Sequence, residues 1–128
     1  MYLKSYLPAL GWAALILILT LLPPQALPKV PDWNIISINS LAHLFVFMVW
    51  AFLVLDGFAK SSAGSGLRKN SILFTLLLAI SYGALIELLQ GFMRLGRQPD
   101  IVDIVFNTTG ALLGIMFFFL VKRYRRAS

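Results

Sequence analysis

The chain is 128 residues long, 59% apolar and only 12% charged, about half the charged fraction of an ordinary soluble domain, which excludes a soluble monomer as the starting assumption. A bilayer-crossing helix takes roughly 20 residues, so the length holds about four of them with short connections and excludes a second soluble domain of useful size. The 11 basic residues against 5 acidic ones sit in a hydrocarbon-rich chain and read as membrane topology rather than nucleic-acid binding; the lack of cysteine excludes disulfides, thiolate metal ligands and thiol nucleophiles.

The first predicted span covers residues 7–22, inside a stretch without charge from Ser5 to Pro28, and Pro23 and Pro24 end it. Lys4 ahead of it would suit a signal peptide, but the Pro-Pro-Gln-Ala-Leu-Pro that follows offers no small-x-small cleavage site, so the span is expected to be retained. The connection to about Ile38 carries four prolines, which resist regular helix, and Trp33 suits an interfacial anchor. The second span covers 39–58, free of charge until Asp56 and with His43 near its start. A Ser/Gly-rich connection follows, bearing Lys60, Arg68 and Lys69. The third span covers 71–93 and contains Glu87; a polar hairpin with Arg94 and Arg97 leads to the fourth, 100–121, which ends at Lys122, Arg123, Arg125 and Arg126. The fold expected is an all-α integral membrane protein, a four-transmembrane-helix bundle with short loops and a single domain over residues 1–128. With both termini in the cytoplasm, eight basic residues lie inside and three, Lys29, Arg94 and Arg97, outside, so the positive-inside rule favours N-in/C-in.

Two spans carry polar stripes. Gly83, Glu87, Gln90 and Arg94 are spaced by 4, 3 and 4 residues, which keeps them within about 60° of one another on a helix. Asp100, Asp103, Asn107, Gly110 and Gly114 repeat the pattern at 3, 4, 3 and 4, within about 80°. At 1.5 Å rise per residue, Glu87, Asn107 and His43 lie about 9, 10 and 6 Å in from the same side. They therefore meet at one depth, in the outer half of the bilayer. An acid at mid-span costs roughly 2.5 to 3.5 kcal/mol on insertion scales, so Glu87 needs a partner, water or a proton. Glu87, Asp100 and Asp103 outnumber Arg94 and Arg97 by one charge, a difference that a cation, a proton or a basic ligand group would supply.

These residues also have purely structural uses. Asp100 at the N-cap and Asp103 in the first turn suit the free N–H groups and dipole of the fourth helix. Glu87, Gln90 and Asn107 can act as interhelical hydrogen-bond glue, and Gly83, Gly110 and Gly114 as close-packing positions, the last two in small-xxx-small spacing. His43, among Leu44, Phe45 and Phe47, can be a packing residue. The chain has no paired-histidine zinc motif, phosphate loop or serine elbow. A Mg²⁺-like divalent cation on Glu87, Asp100 and Asp103 fits the preference of hard cations for oxygen.

The segments Glu87-Leu-Leu-Gln90-Gly91-Phe92, Gly96-Arg97-Gln98-Pro99-Asp100-Ile-Val-Asp103 and Asn107-Thr-Thr-Gly110-Ala-Leu-Leu-Gly114 resemble the signature of the VanZ-like family, E-x-x-Q, G-R, D-x-x-D and N-x-x-G-x-x-x-G. Leu41-Ala-His43-Leu-Phe45-x-Phe47 resembles the family's histidine segment. The likeness is close over residues 83–114 and looser over most of the chain. Family members commonly carry an Asp-Lys pair shortly before that histidine; this chain has Asn39 and Ser40, so a role needing a charged pair there has no counterpart.

The family is named for a member linked to resistance to teicoplanin, a glycopeptide that acts on cell-wall precursors outside the membrane. The resemblance implies a multi-pass protein of the bacterial cytoplasmic membrane with a role in the envelope, and the outer-half position of the polar groups suggests an outward-facing pocket that binds or acts on a cell-envelope component or a glycopeptide-type antibiotic. Arg97 with Arg94 would hold an anionic head group, Asp100 and Asp103 would hold a cation or fix those arginines, and His43, Glu87, Gln90 and Asn107 would line the floor. In an enzyme, Glu87 or His43 would be the general base. The expected partners are the lipid bilayer, an envelope lipid or glycopeptide and, through the small-xxx-small spacing, a second copy in a homodimer; no nucleic acid is expected. Two other classes stay open. One is a small proton-coupled transporter, against which the polar groups stop in the outer half; the other is a non-catalytic membrane assembly factor whose cluster sets only helix packing.

Overall fold

A computed structural model describes residues 2–21, 38–60, 69–93 and 101–127. Its elements in chain order are α1 (Tyr2–Leu21), α2 (Ile38–Lys60), α3 (Ser71–Met93) and α4 (Ile101–Ala127), with no strand among the described residues. All four are long and apolar enough to cross a membrane. The third matches its expected limits, and the second is longer by only a residue or two at each end. The others run further. α1 starts at Tyr2 and takes in Lys4 and Pro8, so the helix tolerates a proline in its second turn that cannot donate to the Lys4 carbonyl. α4 continues past Val121 to Ala127, since basic side chains suit the negative end of the helix dipole. Trp33 and the proline-rich connection lie outside the described residues.

The bundle is inside-out in composition. Leu10, Ile18, Leu77, Leu88, Phe92, Leu112, Met116 and Phe117 are exposed, while the buried polar set includes Ser40, His43, Glu87, Gln90, Asp103 and Asn107. Exposed leucines and phenylalanines on every helix are what lipid solvates; polar groups in lipid must instead find partners within the protein.

α2 touches each of the other three helices, and so does α3, whereas α1 and α4 do not pack on each other among the described residues. The most extensive contact joins α2 to α4. These two helices run parallel: Ser40 meets Asp103 and His43 meets Asn107 at sequence separations of 63 and 64, and Phe52 meets Phe118 further along. Gly110 and Gly114 explain the closeness. A methyl group on Gly110 would run into the Leu44 carbonyl, and one on Gly114 into the Met48 carbonyl. Without side chains at these positions the α4 backbone lies directly on α2, an arrangement suited to weak Cα–H donation to carbonyl oxygen. The small-xxx-small pair is therefore covered by α2 of its own chain, with Ala51 and Ala111 fully buried in the same core.

α1 is held differently, by aromatic side chains that reach backbone carbonyls. Trp12 Nε1 donates to Val46 O on α2 at 2.8 Å, Trp50 Nε1 on α2 to Ala9 O at 3.1 Å, and the Tyr82 hydroxyl on α3 to Ala13 O at 2.5 Å. A helical carbonyl already bonded within its helix keeps a second lone pair for such a donor. Phe47, Trp50 and Tyr82 pack together, with the Trp50 and Tyr82 ring centroids 5.0 Å apart.

Gly110→Ala and Gly114→Ala are each expected to destabilise the detergent-solubilised protein by about 1–3 kcal/mol or more, since the added methyl meets backbone that cannot rotate away. Gly11→Ala, with nothing within 4 Å of the added atom, is expected to be neutral or to gain up to about 1 kcal/mol of helix propensity. Thermal unfolding followed by size-exclusion recovery makes the comparison; equal stability of all three variants would refute the close α2–α4 seam.

Candidate functional site

The up-and-down chain brings the end of α1, the start of α2, the end of α3 and the start of α4 to one end of the bundle, and each contributes a polar group there. Asp103 sits in the first turn of α4. Its Oδ1 accepts a 3.1 Å hydrogen bond from the Ser40 hydroxyl, and its Oδ2 lies 3.9 Å from His43 Nε2. One turn on, Asn107 Oδ1 is 2.9 Å from His43 Nδ1. An amide oxygen only accepts, so in this pairing Nδ1 carries the proton and donates. A neutral imidazole then keeps a lone pair on Nε2, which has no hydrogen-bond partner among the described residues.

α3 closes the cluster from the other side. Gly83 leaves space for Asn107: a methyl group there would come 2.9 Å from Asn107 Nδ2. Glu87, one turn later, is 3% exposed, and His43, Glu87 and Asp103 each present a ligand atom within 4.8 Å of the others. Asn107 Nδ2 also lacks a hydrogen-bond partner among the described residues. An imidazole, two carboxyl groups and a donor-bearing amide thus converge from three helices in a dry setting, where Coulomb interactions are weakly screened.

Gln90 has a different use from the one its stripe suggested. Its Nε2 donates to Thr20 O at 2.6 Å. Thr20 belongs to the last turn of α1, whose carbonyls have no partner within their own helix, so Gln90 satisfies one of them and joins α3 to α1. Thr108 and Thr109, inside the Asn107–Gly110 motif, donate back to Ile104 O and Val105 O on their own helix, which leaves Asn107 as the motif's polar contact to α2. Arg94, Arg97 and Asp100 lie outside the described residues.

Ser40 is the contributor that the sequence patterns did not single out. It precedes His43 by three residues and therefore shares its helix face; that spacing was the available signal. Two clefts, of about 280 and 240 Å³, lie at the opposite end near Phe58, Lys69, Phe118 and Lys122, and none of the predicted site residues lines them. The described residues of the expected site form a closely packed buried cluster, and Arg94, Arg97 and Asp100, which would complete the outward-facing pocket, lie outside them.

Four membrane-length helices around a buried polar cluster define a multi-pass, membrane-type helical protein. A family model described as VanZ/LLP1 matches residues 6–122, nearly the whole chain, and the protein belongs to the VanZ/LLP1 family. No curated relative and no solved structure matches it.

Asn107→Ala is expected to cost about 1–3 kcal/mol, because it strands the buried His43 Nδ1 proton. A double-mutant cycle of His43→Ala with Asn107→Ala should give a coupling of about 0.6–1.7 kcal/mol, the range of interhelical hydrogen bonds in membranes. Unfolding in mixed detergent micelles reads both, and additive single-variant effects would mean that the bond does not form.

Proposed function

We propose that this VanZ-family protein lies in the bacterial cytoplasmic membrane with both termini inside, and that its buried polar cluster serves a binding site for a cell-envelope component or glycopeptide-type antibiotic at the outer leaflet. The observation that carries this reading is the convergence of His43, Glu87 and Asp103 from three helices within 4.8 Å. Ionisable groups inside a membrane span are costly, up to roughly 2.5–3.5 kcal/mol at its centre on insertion scales, and mark functional sites by default. Simple helix adhesion needs no more than a serine or asparagine, which insert at lower cost.

Charge supports the orientation. Lys4, Lys60, Lys69 and Lys122 to Arg126 gather at the end of the bundle opposite the cluster, and the positive-inside rule puts that end in the cytoplasm. The cluster then faces the compartment where cell-wall precursors carry their phosphate and peptide carboxylate groups. Arg94 and Arg97, which follow α3 directly in the sequence, supply guanidinium groups suited to bidentate contact with either anion. Asp103, fixed by Ser40, and His43, fixed by Asn107, supply the preorganised floor.

The test pairs membrane abundance with susceptibility to teicoplanin and other envelope-acting antibiotics, in a strain lacking the native copy. Glu87→Gln, Asp103→Asn and Arg97→Ala are expected to accumulate to near the wild-type level and to lose at least about tenfold in protective effect, the loss of one charged contact of about 1.4 kcal/mol. Variants that accumulate normally and protect as well as wild type would overturn the reading. Variants that vanish from the membrane would favour an assembly or packing role for the cluster.

A further inference from the structure

We propose that His43, Glu87 and Asp103 form a binding site for one divalent transition-metal ion, with His43 Nε2 and one oxygen from each carboxyl group as ligands. This goes beyond the envelope-binding reading and does not depend on it.

The donor set is complete in kind. The three side chains are each nine-tenths or more buried, and each offers a ligand atom within 4.8 Å of the other two. A metal site needs more than proximity, and the orientation of His43 supplies it. Its Nδ1 is engaged by Asn107 Oδ1 at 2.9 Å, the arrangement in which an outer hydrogen bond fixes the tautomer and turns the other nitrogen's lone pair toward the ion. That other nitrogen, Nε2, is buried without a hydrogen-bond partner among the described residues and faces Asp103 Oδ2 at 3.9 Å. Such a separation is too long for a hydrogen bond. It is slightly longer than the about 3.0–3.5 Å between neighbouring ligands on an ion with bonds of 2.0–2.2 Å. A cation between them would shorten it by about half an ångström, a side-chain adjustment.

Asp103 is held in the same way. The Ser40 hydroxyl donates to Oδ1 at 3.1 Å, and Oδ2 lies on the imidazole side, 3.9 Å from Nε2. His43 and Asp103 are thus each held by a hydrogen bond across the parallel α2–α4 pair, and Glu87 comes from α3. The imidazole also decides the class of ion. Mg²⁺ and Ca²⁺ take six or more oxygens, whereas a compact site with one nitrogen and two carboxylates suits Zn²⁺, Mn²⁺, Fe²⁺ or Co²⁺. The site shares Glu87 and Asp103 with the oxygen-only set that the sequence suggested and adds His43, while Asp100 lies outside the described residues. Three protein ligands leave at least one position for water or an anionic oxygen of a bound molecule.

The chain contains a single histidine, which makes the test specific. The full-length protein, purified in detergent without a histidine tag and stripped with chelator, is titrated with Co²⁺ and Zn²⁺. One Co²⁺ per chain should bind with visible d–d bands that Zn²⁺ abolishes. Asn107→Ala is expected to weaken binding about 10–100-fold, and His43→Gln and Asp103→Asn to lose the bands, while Thr75→Val at the other end of α3 binds as wild type. Pulsed EPR of the Cu²⁺-loaded wild type should show coupling to one imidazole, and this measurement decides the matter even if the variants do not fold. Folded wild type that binds no Co²⁺, or binds Cu²⁺ without imidazole coupling, overturns the proposal. Metal binding with unaltered antibiotic susceptibility of the variants would defeat the envelope reading alone; no metal with altered susceptibility would defeat this one alone.

Discussion

The contact on which the rest depends is the direct seating of α4 on α2 at Gly110 and Gly114. The Leu44 and Met48 carbonyls occupy the space that side chains at these glycines would need, so any larger residue would push the helices apart. Lipid tails are as apolar as leucine and offer little driving force for association. Close packing and hydrogen bonding must therefore supply it, and both require near backbone contact. The seam also sets register. With Gly110 against Leu44, the turns towards the start of each helix are aligned, and Asp103 falls to Ser40 and Asn107 to His43. The polar cluster is a consequence of where two glycines stop.

A dry polar cluster would be destabilising if its members were left unpaired, since each stranded donor or acceptor costs the desolvation it cannot recover. Three devices limit this cost. Ser40 and Asn107 pair with Asp103 and His43 across α2 and α4, Gln90 pairs with a carbonyl at the end of α1, and the α4 threonines satisfy their hydroxyls within their own helix. Among the described residues, capacity stays open on the Thr75 hydroxyl near the start of α3 and, within the cluster between α2, α3 and α4, on His43 Nε2 and Asn107 Nδ2. A packing network would be expected to close that capacity, and a site for a ligand would keep it.

Much of this was legible in the sequence. Glu87, Asp103, Asn107 and Gly83 occupy stripes with helical spacing, and their depth follows from the 1.5 Å rise per residue; the structure brings them together with His43 as that arithmetic implies. Gln90 shares the stripe of Glu87 but turns to α1, because a stripe some 60° wide can face two neighbours and periodicity does not say which. Ser40 was noted only as a departure from the family's charged pair, because a single serine at a helix start is an ordinary residue until an acid is found opposite it. The parallel pairing of α2 with α4 was equally hidden. Small-xxx-small spacing marks a face that will be approached closely, yet it carries no information about which helix, or which chain, approaches.

The sequence by itself determined how many helices are long and apolar enough to cross a membrane, roughly where each begins and ends, and how far along its helix each polar residue lies. Those properties are local, since hydropathy is summed over one segment and helical phase accumulates along one backbone. Only the tertiary structure decided that α4 pairs in parallel with α2, that His43 commits Nδ1 to Asn107 and turns Nε2 to Asp103, and that Gln90 caps α1. These depend on the relative register and rotation of separate helices, which are set by the packing of small residues and the satisfaction of buried polar atoms across elements up to 70 residues apart in the chain.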